Sequence, residues 1–409
     1  MTAIWKAQAR RFGIASLVAL LLLTADARAT KTAGASALSA WPVVSSPNAG
    51  PGDNQLEGAT ALSSADAWAV GRYYDTASGE TKTLTEHWNG SAWTVVPSAN
   101  AGAGGIRSLE DVDAVSAADV WAVGYFVEDA SSEGGSKTMV EHWDGSEWEI
   151  VASPNAGLGE GGNGTLASVF ALATDDVWAV GSYFPAVDSP TLQPLIEHWN
   201  GETWEIVPGP RRSPGTWSEL KGISGSGPAD IWAVGVRDAQ VGDAVTERGL
   251  ILHWDGEAWK RVRAPLPAAR LTPFLLHDVV ALSATNAWAV GALATRSSHR
   301  TVILHWDGHA WEVVRSANPS AQFQDLTAVT ALSETRVWTV GTYWDADAKR
   351  MRTLVERWTG ERWRRVTSSN RGNSELRDVA ATRGARFAVG ESGLESTRTL
   401  VLHHRVRTP

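Results

Sequence analysis

The sequence has no cysteine, and that absence removes more chemistry than any motif in it supplies. Disulfides, thiolate metal sites, a lipidated N-terminal cysteine and a cysteine nucleophile are all excluded, so a folded chain must hold by packing alone. Positive charge is short as well. Lys and Arg number 36 against 45 Asp and Glu, for a formal charge of -9 and a pI near 5.6. Nucleic-acid binding needs a basic face, so nucleic acid is not expected as a partner. Phosphate loops and nucleophile elbows are missing. No long stretch beyond residue 30 carries a 3.6-residue apolar period, so no substantial helix is expected.

The N-terminus differs from the rest. Lys6, Arg10 and Arg11 precede an apolar run from Ile14 to Leu23, followed by Ala27-Arg28-Ala29. The run is too short to span roughly 30 Å of hydrocarbon as a helix. Charge, apolar run and small-x-small site read as a secretory signal peptide over residues 1–29. A flexible leader follows over 30–40, and the folded domain is expected over 41–409. The expected location is therefore secreted, extracellular or in the cell envelope, with no stable membrane insertion after cleavage.

Tryptophan is what the chain has in excess, 22 against 5 Tyr and 7 Phe, and it is placed periodically. Trp-Ala-Val-Gly begins at Trp68, Trp121, Trp178, Trp232 and Trp288, with variants at Trp338 and Phe387, spaced by 49 to 57 residues. A leucine opens a strand-sized run ahead of each: Leu56, Leu109, Leu166, Leu220, Leu276, Leu326 and Leu376. After each comes a run ending in His-Trp or a variant. In five copies Asn-Gly or Asp-Gly then leads to another Trp, a strong hairpin signal because both dipeptides accept positive φ.

Four antiparallel strands in about fifty residues, repeated, read as a β-propeller. The expectation is all-β and seven-bladed, with four antiparallel strands per blade and an N-terminal strand completing the last blade. That last point rests on Trp41–Gly50, which matches Trp148–Gly157 and supplies the fourth strand that the C-terminal unit lacks. In WAVG the Trp and Val alternate with small Ala and Gly, which lets blades nest without invoking a ligand.

The unit resembles a kelch-type repeat, as in the galactose-oxidase-like propellers, over residues 41–407. It departs at the second position of the kelch Gly-Gly pair, occupied here by Arg72, Tyr125, Ser182, Val236, Ala292, Thr342 or Glu391. The copper radical site of galactose oxidase needs a cysteine cross-linked to tyrosine, so that part of the resemblance implies no cofactor here. The Asp-Gly-x-x-Trp turns are similar to the Asp-box of sialidases but lack its spacing. Metal-ligand spacing is absent, and neither metal nor cofactor is expected.

Side chains repeated in every unit are read as framework, including the histidine before the repeated Trp and the Asp two residues before WAVG. Function is then sought in what does not repeat. The connections between strands two and three, and from strand four to the next unit, differ in each copy. They gather on one face, where binding residues are expected on a rigid scaffold.

Tyr73, Tyr74, Tyr125, Phe126, Tyr183, Phe184, Tyr343 and Trp344 follow the repeated Gly there. Beside Asp75, Glu128, Asp129, Asp188, Asp345 and Asp347, they suit stacking on sugar or docking a peptide; the plainer reading is that they cap the core. The position after each leucine holds Glu57, Glu110, Ala167, Lys221, His277, Thr327 or Arg377. Its charged members are read as ringing the channel mouth, or else as solvated strand ends. His277 with Asp278, near Glu110, is the one acid–base grouping.

The leading reading is a secreted, non-catalytic, monomeric propeller that binds carbohydrate or an extracellular or envelope protein. The alternatives are an extracellular lyase or hydrolase acting on polysaccharide, and a structural scaffold.

Overall fold

The computed structural model describes residues 41–406, apart from 103, 129–134, 157–162, 186–190, 212–215, 242–243, 266–271 and 295–297. The expected signal peptide and leader lie outside these residues, as do Asp129, Asp188 and parts of the variable connections. The described residues form strands and no helix.

In the unit opened by Leu109 the strands are Ile106–Ser116, Asp119–Val127, Lys137–Trp143 and Trp148–Val151. Each pairs antiparallel with the one before it. The hairpin between strands three and four is closed by a side chain. Asp144 Oδ1 accepts the amides of Ser146 and Glu147 at 2.7 and 3.0 Å, and Gly145 takes a φ of 100°. An Asp or Asn side chain bonding the backbone two residues on is the physical content of the repeated Asp-Gly or Asn-Gly.

WAVG forms the middle of strand two, and its alternation divides the two faces. Trp68 and Val70 pack with Leu109, Val112, Ala122 and Trp148 of the following unit. Ala67 and Ala69 pack with Phe387 and Val389 of the C-terminal unit. The apolar core is therefore distributed between units. Trp121 lies 5.1 Å from the ring of Trp199 and 5.6 Å from that of Trp204, both in the next unit, and such aromatic pairs add to the burial term. The first strands line the centre. Each lies against the next, and Ser374–Ala381 lies against Asn54–Ser63, which closes the ring. Val43–Val44 pairs antiparallel with Val401 and Leu402 beside the C-terminal unit, and Trp41 is buried against Trp338, Val340 and Leu402.

The expectation of seven blades requires correction. The ladders form an all-β propeller with five separate four-stranded blades. These cover Gly164–Ile206, Ser218–Val262, Phe274–Val314, Gln324–Arg365, and Ser374–Arg405 with Val43–Val44. The strands from Asn54 to Val151 make one eight-stranded sheet instead of separate blades. The cause is local. Thr81 pairs in parallel with Ile106, and its amide donates to Gly105 O at 3.1 Å. Gly105, at φ 91°, turns the connection so that Ile106 runs beside Thr81 and ties the two meanders together.

Candidate functional site

Every first strand carries a bulge immediately after its leucine. Leu109 pairs with Gly124 and Asp111 with Val123, which leaves Glu110 without a ladder partner. The same shift follows Leu56, Leu166, Leu220, Leu276, Leu326 and Leu376. A bulge inserts a residue and re-aims its side chain, so Glu57, Glu110, Lys221, His277 and Arg377 turn toward the centre. The bulge also dictates the WAVG glycine. A Cβ on Gly124 would lie 2.0 Å from Ser108 O, and one on Gly181 would lie 1.9 Å from Thr165 O.

These five side chains converge with partners from neighbouring positions at the loop-face end of the channel. Arg72 reaches Glu57 at 3.2 Å and Glu110 at 3.5 Å, bridging two units. Ser108 Oγ donates to Glu110 Oε1 at 2.6 Å. Arg377 reaches Glu391 at 2.6 Å, Glu375 at 3.2 Å and Glu57 at 3.8 Å. Lys221 meets Glu219 at 2.9 Å, and His277 Nε2 lies 3.2 Å from Asp325 Oδ2. The mouth thus holds the carboxylates of Glu57, Glu110, Glu219, Asp325, Glu375 and Glu391 against the cations Arg72, Lys221 and Arg377. Its formal balance is acidic.

The channel walls surround these groups while leaving them open to water; 28% of the Glu110 side chain remains exposed. Burial, reinforced by Glu57 and opposed by Arg72, pushes the Glu110 carboxyl above the usual range. Burial likewise raises the Tyr125 phenol to about 12, with Glu110 adding to the rise, so Tyr125 stays a neutral donor. For Lys221 burial works against the charge, but Glu219, Asp325 and Glu110 outweigh it and the pKa is raised. That Lys221 feels carboxylates of other units shows one shared electrostatic space.

A second layer lies deeper, of which the sequence singles out Asp278 alone, and in another role. Asp111 Oδ2 accepts Ser168 Oγ at 2.7 Å and Val169 N at 3.0 Å. Asp278 Oδ2 accepts Val329 N at 2.7 Å, and Asp378 Oδ2 accepts Ala59 N at 2.7 Å. Each carboxylate staples its strand to the following unit. Asp278 is therefore not the partner of His277, because the bulge sends the adjacent side chains to different places. Burial, with Asp378 adding, pushes Asp278 up to about 8. The recurrence of Asp two residues after the leucine was the available signal.

The aromatic arc does not assemble. Tyr73, Phe126 and Tyr183 pack into the cores between units, and Tyr343 is buried there. Arg365 lies over the Tyr343 ring, 4.4 Å from its centroid, and donates to its hydroxyl. Tyr74 is exposed, and Phe184 and Trp344 are half-buried at the ends of their strands. Only Tyr125 of this set stands at the mouth. Two residues after the glycine means the same strand face as WAVG's Ala, which is turned to the previous unit.

The repeated histidines are placed as framework. His87, His142, His198 and His253 each lie 2.8 Å from Asp66, Asp119, Asp176 and Asp230. The same Asp119 oxygen accepts the Trp121 indole N–H at 2.9 Å. Among the described residues no cluster of His, Asp and Glu has the arrangement of a metal site. No helix among them is long and apolar enough to cross a membrane.

Comparison with known proteins places the fold. No protein-family model matches the chain, so the kelch-type resemblance gains no support, and no curated protein matches it either. Solved structures do match in fold. An ulvan lyase of the polysaccharide lyases, solved bound to -[GlcA(1-4)Rha3S]-, aligns with TM-score 0.54 and 10% identity over 86% of this chain and 94% of its own. The endosialidase of phage phi92 aligns at 0.50 and 10% over 90% and 69%. A chain of the mitotic checkpoint complex aligns at 0.52 and 11% over 96% and 99%. At such identities the likeness shows the class of fold, a β-propeller, and no more.

Proposed function

We propose that this protein acts on a polysaccharide at the loop-face mouth of its channel, hydrolysing a glycosidic bond between Glu110 and Glu57. The observation that carries this is the pair itself. Two carboxyl groups flank one guanidinium in a water-open mouth, and burial beside Glu57 raises the pKa of Glu110. Glycoside hydrolysis requires two carboxyl groups in different protonation states. Glu110 would give its proton to the departing oxygen as the C–O bond breaks. Glu57 would take a proton from the water that adds to the sugar carbon. Arg72 and Ser108 hold the pair in place, and Tyr125 stands near as a neutral donor. Support of a weaker kind comes from the company the fold keeps, which includes a polysaccharide lyase and an endosialidase. Export through residues 1–29 belongs to the same proposal and would be checked by N-terminal sequencing of secreted protein.

The test is release of reducing ends from a panel of polysaccharides. Glu110→Gln should lower the rate by about 10²–10⁴-fold with the melting temperature held. Release that is unchanged in Glu110→Gln, or no release from any substrate by folded protein, overturns the proposal. A second reading, eliminative cleavage, has one observation in its favour: His277 held by Asp325 beside Lys221 suits a base. It predicts an unsaturated, ultraviolet-absorbing product. The acidic balance of the mouth favours hydrolysis, since elimination usually begins by gathering a uronate's negative charge.

A further inference from the structure

The hairpin of Asp230–Val241 and Ala244–Trp254 brings arginines together beside a cavity. Arg237 and Arg248 stand directly opposite each other across the ladder, and like charges so placed repel. Arg261 and Arg263 follow on and after the fourth strand, Trp259–Val262. These four arginines, with Gln240 and Phe274, line a cavity of about 450 Å³. That is enough for a sugar-sized ligand, since small-molecule sites run from roughly 300 to 1,000 Å³.

The described acidic residues nearest these arginines face away from them. Asp238 and Glu247 form the next cross-strand pair, and alternation sends them to the other face of the ribbon. Among the described residues none of the four arginines makes an ion pair with a carboxylate within 4.0 Å, whereas the mouth arginines Arg72 and Arg377 each make at least two. What Arg248 does bond is fixed backbone, Thr272 O at 2.7 Å and Glu247 O at 3.3 Å. That holds Arg248, a residue only 4% exposed, in place. Arg237 donates to Asp238 O at 3.1 Å. Burial, then Arg261 and Arg248, lower the Arg237 pKa, the signature of cations crowded without an anion. In a chain of formal charge -9 such a concentration is not a by-product of composition.

We propose that this cavity is a binding site for an oxyanion, carried on a ligand of sugar size, with Arg237, Arg248 and Arg261 as the groups that receive it. Guanidinium forks match carboxylate, sulfate and phosphate by paired N–H donation. The site is independent of the channel mouth, and its failure would leave the proposed hydrolysis untouched.

The experiment is calorimetric titration and thermal shift of the full chain with inorganic sulfate, inorganic phosphate, glucuronic acid, glucose 6-sulfate and neutral glucose. The anionic probes should bind in about the millimolar range and raise the melting temperature, while glucose should not. Equal binding of inorganic and sugar anions would mean that the oxyanion alone is read; preference for the sugar acids would mean that the cavity reads the ring too. Arg237→Gln and, separately, the exposed Arg261→Gln should each weaken binding about tenfold without lowering the melting temperature of the free protein, because each relieves repulsion. Anion binding unchanged in both variants, equal binding of glucose, or no anion effect at all would overturn the proposal.

Discussion

The glycine that ends each WAVG run is the least replaceable residue of a unit. Its sequence context suggests only a small side chain on a nesting face. The structure adds a sharper reason, a first-strand carbonyl 1.9 to 2.1 Å from where a Cβ would stand. Gly124→Ala should therefore destabilise the fold by about 3 kcal/mol, the upper end for overpacking; a calorimetric loss under 1 kcal/mol would contradict this. The histidines show the reverse relation. Their repetition alone marks them as framework, and the His–Asp–Trp bonding explains it, since one aspartate oxygen serves both an imidazole and an indole N–H. For the candidate catalytic pair, residue type was legible and partnership was not. Glu110 and Glu57 lie 53 positions apart, and in the fold Arg72 reaches both.

Strand boundaries were legible because turn residues, Trp and period-two alternation all agree, as in Asp119–Val127 followed by Lys137–Trp143. The facing of the first strand was not, because the bulge after the leucine breaks the alternation that side-chain direction depends on. The repeated Ser-x-Asn after strand four is another element whose role emerges only in three dimensions. Asn155 Oδ1 accepts the Thr138 amide at 2.9 Å, and Asn370 does the same for Thr353 at 2.8 Å. The N-terminal strand is short, yet Trp41 is 1% exposed and bridges Thr367 and Ser369 by backbone bonds. Trp41→Ala should lower stability by about 3–5 kcal/mol, read as a drop in denaturant midpoint. An unchanged midpoint would mean that Val43–Val44 adds nothing to its sheet.

Across the whole molecule the buried carboxyl groups set the response to pH. Burial pushes Glu86 and Glu197 up to about 8, with Ser46 and Ser153 opposing, Asp278 to about 8 and Asp378 to about 6. The native chain keeps protons on these groups that the unfolded chain releases near the ordinary values of 4.5 and 3.8, so stability falls as pH rises through that interval. His403, pushed down to about 4 by burial, acts oppositely below its ordinary 6.5, but the raised carboxyl groups outnumber such histidines. The melting temperature should be higher near pH 5 than near pH 8, and Glu86→Gln with Glu197→Gln should flatten the slope. A melting temperature that climbs between those values would refute the assignment. The sequence by itself determined an all-β propeller, the strands within each unit and the framework status of what repeats, because those follow from local periodicity and turn chemistry. Only the tertiary structure decided the sheet count, the inward turn of the bulged residues, the meeting of Glu57 with Glu110 and the gathering of four arginines. Each depends on how close separate segments come, and a bulge or one glycine-turned connection changes that distance while leaving the local pattern of residues intact.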